Sequence, residues 1–118
     1  MATRGPSHAE RDRCPVYAAI QVIEGKWKPM VCRRLGESGP LGTGELRRAI
    51  PGVTAKVLRQ QLRQMEAAGL IARSVRSSPV RVRYRLTAHG RSLGPVFETL
   101  WSWGTRHLER VAAMRAIV

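Results

Sequence analysis

Apolar positions along the chain follow two rhythms in turn. In CPVYAAIQVI, Val16, Ala19, Ile20 and Ile23 recur at helical spacing behind Pro15, which suits a first turn, and Gly25 closes the segment. KWKPMVCRRL predicts a second helix, with Pro29 tolerable only near its start. After the loop GESGPLG, GELRRAI gives a short third helix and PGVT a tight turn. Thr54 is a candidate N-cap for AKVLRQQLRQMEAA, which Gly69 terminates. The period then drops to two: LIARSV and VRVRYRL read as strands joined by the loop RSSP. From Thr87 a long helix is predicted to about residue 113. It carries Leu93, Val96, Phe97, Leu100, Trp101, Leu108 and Val111, and Gly94–Pro95 should weaken or kink its first part.

The fold class expected is therefore mainly α with a small β-hairpin, in the order of a winged helix-turn-helix. A chain of 118 residues is one domain, assigned to 14–118. Residues 1–13 have Gly, Pro, Ser and charges without apolar periodicity, and read as a flexible basic arm.

The polar faces of these elements carry the chemistry. On a wheel of the helix after Thr54, Leu58, Leu62 and Met65 share one face, while Lys56, Arg59, Gln60 and Arg63 gather opposite. Arginine can be bidentate to guanine and glutamine to adenine. The first turn of a reading helix enters the major groove, which adds Thr54 and Ala55. In the second strand Val82, Tyr84 and Leu86 would face inward, leaving Arg81, Arg83 and Arg85 as a cationic row. Like charges on one face repel, so folding alone gives no reason for them.

Charge sharpens this picture. Lys plus Arg number 21 against 8 acids, a net +13 with a sequence pI near 11.6, which favours a polyanionic partner. Between Thr54 and Arg91 nine basic residues face one acid, Glu66, where a merely solvated surface would mix its signs. Double-stranded DNA is the expected partner. The alternatives are a ribosomal or other RNA-binding basic protein and a sequence-independent nucleoid protein. Single-stranded RNA recognition wants exposed aromatics near the arginines, and Trp27, Trp101 and Trp103 lie away from the hairpin. An enzyme is not expected: His8, His89 and His107 are scattered, and no metal-ligand spacing, phosphate loop or nucleophile elbow occurs. No cofactor and no metal are expected. No run of 18 apolar residues and no secretory start is present, so no membrane partner and a cytoplasmic location are expected.

Taken together, CPVYAAIQVIEGKW, ELRRAIPGVTAKVLRQQLRQMEAAGLI, YRLTAHGRSL and WSWG, from Cys14 to about His107, resemble the HxlR-type (MarR-related) bacterial transcriptional regulators. The resemblance implies a winged-helix homodimer on a palindromic or near-palindromic operator. The helix from Thr54 would lie in the major groove, and the wing, through Arg76, Ser77, Ser78, Arg81 and Arg83, on the flanking minor groove or backbone. It further implies dimerisation through the N-terminal helix and the long C-terminal one. Val16, Ile20, Leu93, Phe97, Leu100, Trp101 and Leu108 are the candidate contacts, with a monomeric core as the alternative use of the same residues. The chain departs from the family pattern in three places. Gly42 and Thr43 stand where a basic residue and an aromatic are frequent, Ser77 and Ser78 where acidic or apolar residues are frequent, and Arg83 where an acid is common. Arg83 is then either added DNA affinity or half of a new internal pair, and DNA is the expectation.

Cys14 matches the cysteine that opens the family's motif, which in some members senses oxidants or electrophiles. Locally, Arg11, Arg13 and a helix N-terminus would favour its thiolate. The alternatives are a structural thiol and a small-molecule effector bound between the core and the dimer helices. Cys32, beside Met30, Val31 and Leu35, reads as core.

Overall fold

The computed structural model describes residues 14–77 and 79–117. The N-terminal arm, with Arg11 and Arg13, and the wing residue Ser78 lie outside them. Helix α1 (Pro15–Ile23) begins with proline in its first turn and Cys14 as N-cap, and Gly25 turns the chain at φ 97°. Helix α2 (Trp27–Ser38) buries Lys28, Val31, Cys32 and Leu35 and stops at Gly39. Helix α3 (Thr43–Ala49) is short, and the Gly42 N–H at its start donates to Glu45 Oε1 at 3.1 Å. Gly52 (φ 88°) makes the turn into α4 (Ala55–Ala67), where Thr54 Oγ1 accepts from the Val57 N–H at 3.2 Å. Gly69 (φ 75°) ends α4, and the Leu70 N–H donates back to the Met65 carbonyl at 2.9 Å.

Strands β1 (Ile71–Ser77) and β2 (Val80–Leu86) form an antiparallel hairpin in the register Ile71↔Leu86 through Ser77↔Val80. A bridge from Leu41, within the predicted loop GESGPLG, adds to its base. Leu41 exchanges both backbone hydrogen bonds with Tyr84, at 2.8 and 3.0 Å. The core lies beneath the hairpin base, where Val31 and Leu35 of α2 and Leu46 of α3 meet Leu58, Leu62 and Met65 of α4 with Leu70, Ile71 and Leu86.

One predicted element is corrected. The long helix expected over about 87–113 is two helices, α5 (Ala88–Arg91) and α6 (Gly94–Ile117). Thr87 does cap, accepting from the Gly90 N–H at 3.0 Å, but it caps only the short piece. Pro95 has no N–H to give, and its ring would clash with the Arg91 carbonyl in a continuous helix. The chain therefore restarts at Gly94 with proline in the first turn, a kink that becomes a break.

Candidate nucleic-acid interface

Helix α4 separates its two chemistries by burial. Leu58, Leu62 and Met65 are at most 1 % exposed, whereas Thr54, Lys56, Arg59, Gln60 and Arg63 are all exposed. Ala55 is half-buried and contributes little more than its backbone to the first turn. No acid among the described residues lies within ion-pair distance of Lys56, Arg59 or Arg63. Their charge is thus left facing solvent on a helix packed from behind. The sole acid of α4, Glu66, turns instead toward Arg73 of β1, at 3.8 Å.

The hairpin register sorts the wing in the same way. Val82 and Tyr84 are half-buried and Leu86 is buried, while Arg81, Arg83 and Arg85 are exposed on the other face. Directly across from them stand Arg76, Ser74 and Ala72. Small residues opposite Arg83 and Arg85 ease the crowding, but Arg76 faces Arg81, a cross-strand pair of like charges that costs stability. Ser77 is exposed at the loop end of β1.

Arg83 has an internal partner within reach. Its Nη2 lies 3.6 Å from Glu45 Oε1, the same oxygen that receives the Gly42 N–H. The internal-pair alternative has the geometry, and the guanidinium still stands exposed in the cationic row. A cleft of about 340 Å³ separates the start of α3 from the wing, lined by Gly42, Thr43 and Arg81 among others.

The sequence reading missed Arg47 and Arg48. Both are exposed in the last turn of α3, so the basic surface continues onto the helix that precedes the turn. Their signal lies in the sequence just before Thr54, where Arg47 and Arg48 stand side by side.

The candidate dimer residues divide. Val16 (68 % exposed), Ile20, Leu100, Trp101 and Leu108 (70 %) stand in solvent, and neither α1 nor α6 buries a residue. Leu93 and Phe97, by contrast, are half-buried against the chain's own core. Between α2 and α6 runs an apolar groove of about 1110 Å³, whose lining includes Met30, Cys32, Phe97 and Trp101. Arg33 lies over the Trp101 ring at 5.6 Å and marks one of its walls.

The two cysteines have opposite surroundings. Cys14 is exposed at the N-cap of α1. Cys32 is 5 % exposed, and burial pushes its thiol up to about 11, so it is protonated and poorly nucleophilic near neutrality. Among the described residues no group of His, Cys, Asp or Glu is placed to hold a metal, and no helix is long and apolar enough to cross a membrane.

Comparison with known proteins extends this geometry. Residues 22–112 match the model of the HxlR-like helix-turn-helix family. The HTH-type transcriptional regulator YtcD of Bacillus subtilis (strain 168) is 43 % identical over 97 residues, covering 81 % of this chain and 76 % of that one. The structure of the redox regulator HypR in its reduced form superposes with a TM-score of 0.76 at 34 % identity, covering 85 % of this chain and 99 % of that one. The reduced form of the transcriptional regulator YodB from B. subtilis gives 0.69 at 29 % identity, with 76 % and 89 % covered.

Proposed function

The chain belongs to the HxlR-like helix-turn-helix family of transcriptional regulators, and from that premise we propose that it acts as a homodimer on a palindromic or near-palindromic duplex operator in the cytoplasm. In this reading α4 lies in the major groove. Lys56, Arg59, Gln60 and Arg63 meet bases and phosphates, and Thr54 and the backbone of Ala55 sit at the groove edge. Arg76, Ser77, Ser78 and Arg81 of the wing contact the flanking backbone or minor groove, with Arg83 divided between DNA and Glu45. Val16, Ile20, Leu100, Trp101 and Leu108 meet their counterparts in a second copy, and Leu93 and Phe97 link that interface to the core.

The observation that carries the reading is the row of exposed cations on α4 without acidic partners among the described residues. On a helix backed by a fully packed apolar face, such a row is stable but uncompensated until a polyanion meets it. The test is selection from a randomised duplex library, followed by titration of the selected duplex, a scrambled duplex and a single-stranded RNA across salt concentrations. The regulator reading expects a preference of at least ~10³ for the selected duplex. Equal binding to scrambled DNA would reject it in favour of a nucleoid protein, and preference for RNA in favour of an RNA-binding one.

A redox response through Cys14 has its own support: Cys14 is exposed while Cys32 is buried and protonated, and HypR, a structural neighbour, is a redox regulator. Diamide or a quinone should then weaken operator binding by the native protein and leave Cys14→Ser unaffected. The rival route is an effector in the groove between α2 and α6. It gains ground if oxidant leaves the native affinity unchanged.

A further inference from the structure

Lys28 belongs to none of these surfaces. It is the one charged or polar residue buried among the described residues, at 7 % exposure. A buried ammonium is costly unless its donors are met. From the first turn of α2, its Nζ donates to Gln64 Oε1 of α4 at 2.7 Å and to the Glu24 carbonyl at 3.5 Å. Glu24 is the C-cap of α1, where helix carbonyls carry partial negative charge. One cation therefore touches the end of α1, the base of α2 and the flank of α4.

The hydrophobic contacts of α4 leave something for this bond to do. Leu58, Leu62 and Met65 fix how deeply the helix sits, but apolar contact is non-directional and permits small rotations about the axis. A charge-assisted hydrogen bond of 2.7 Å is directional. Gln64 stands one turn beyond Gln60, on the flank between the buried stripe and the exposed row. A restraint there fixes rotation, which long arginine and glutamine arms would amplify at their tips. Base-edge contacts depend on that register, whereas phosphate contacts are sequence-independent.

We propose that Lys28 is a positioning residue for sequence discrimination: held against the end of α1, it sets the rotation of α4 so that Lys56, Arg59 and Gln60 meet base edges in register. The inference rests on the reading of α4 as the DNA-reading helix. Lys28→Met keeps the apolar stem and removes the donor. Its thermal midpoint should equal or exceed that of the native protein, because a buried charge is replaced by an apolar group. Its affinity for the duplex selected by the native protein should fall about tenfold while its affinity for a scrambled duplex holds, so the ratio between them falls about tenfold. Gln64→Leu leaves the Lys28 ammonium without its closest acceptor and should reproduce the lost ratio at a lower thermal midpoint, and the double variant should restore the midpoint while adding nothing to the loss of ratio, since both changes break one bond. A native ratio in Gln64→Leu, or a parallel fall of both affinities in both variants, would overturn the proposal and leave α4 as the reading helix. A native protein that selects no sequence at all would overturn the reading and the inference together.

Discussion

Gly90 and Cys32 show how sharply single positions are constrained. A Cβ built on Gly90 collides with the Leu70 carbonyl oxygen and crowds the Leu86 side chain. Backbone on one side and core on the other leave no room to yield. Gly90→Ala is therefore expected to lower stability by ~2 kcal/mol or more in chemical denaturation, as overpacking does. A loss below ~0.5 kcal/mol would mean that the two segments are not in contact. Cys32 predicts a pH dependence. Its folded pKa, raised by burial to about 11, lies above the value near 9 of a free thiol, so the folded state holds its proton more tightly than the unfolded one. The stability this contributes is complete below pH 9 and is lost as pH rises toward 11. The stability advantage over Cys32→Val should accordingly shrink across that window, as measured by urea unfolding at pH 8, 9.5 and 11. In native protein at pH 8, iodoacetamide should modify Cys14 and spare Cys32, read by mass spectrometry.

At the scale of elements, the proposed reading gives α4 the base edges and the wing the backbone. Arg59→Ala and Gln60→Ala should change which duplex is selected, each costing ~1–3 kcal/mol on the native sequence. Arg81→Ala should weaken all duplexes evenly and reduce the salt slope by about one. If Arg81→Ala left affinity untouched at moderate salt, the wing would not be at the phosphates. Arg83 and Glu45 pose a separate question, because their ion pair is about half exposed. A double-mutant cycle on stability should give a coupling under ~1 kcal/mol. Arg83→Ala should then alter DNA affinity less than Arg81→Ala does.

Much of this was readable before any coordinates. The helix caps at Thr54 and Gly69 and the wing's alternation are local features, set by one side chain's hydrogen bonds or by strand period, and they lie where the sequence places them. Two features depend on residues distant in the chain, and local patterns carry no trace of them. Lys28 meets Gln64 across 36 positions, and Leu41 pairs with Tyr84. An internal pair at Arg83 was one of two sequence alternatives, and its partner, Glu45, comes only from the fold. The break at Gly94–Pro95 was legible in kind but not in degree, since a proline can either bend a helix or divide it.

At the scale of the whole molecule, the single chain is a well-packed core with two exposed flanks, one cationic and one apolar. Val16, Ile20, Trp101 and Leu108 on α1 and α6 are large apolar side chains left 49–70 % exposed in the single chain, and a second copy would take them out of water. Leu108→Glu, at a position 70 % exposed in the single chain, should leave the fold intact and convert a dimer to monomers in sedimentation. It should also weaken operator binding at least ~100-fold, because one half-site must then be held alone. An unchanged sedimentation coefficient would place the interface elsewhere.

The Leu41–Tyr84 bridge has a mechanical consequence. It gives the root of the hairpin a third line of backbone pairing, while the pairs Val75↔Val82, Arg76↔Arg81 and Ser77↔Val80 rest on two strands alone. The wing is therefore a cantilever, clamped where it leaves the body and compliant toward its end. Amide exchange should register the gradient, slow at Ile71 and Tyr84 and faster by orders of magnitude at Arg76 and Arg81. If the wing meets DNA as proposed, a compliant end would let the same arginines follow grooves of different width, and the flanks of a binding site would be free to vary in shape while its centre stays fixed.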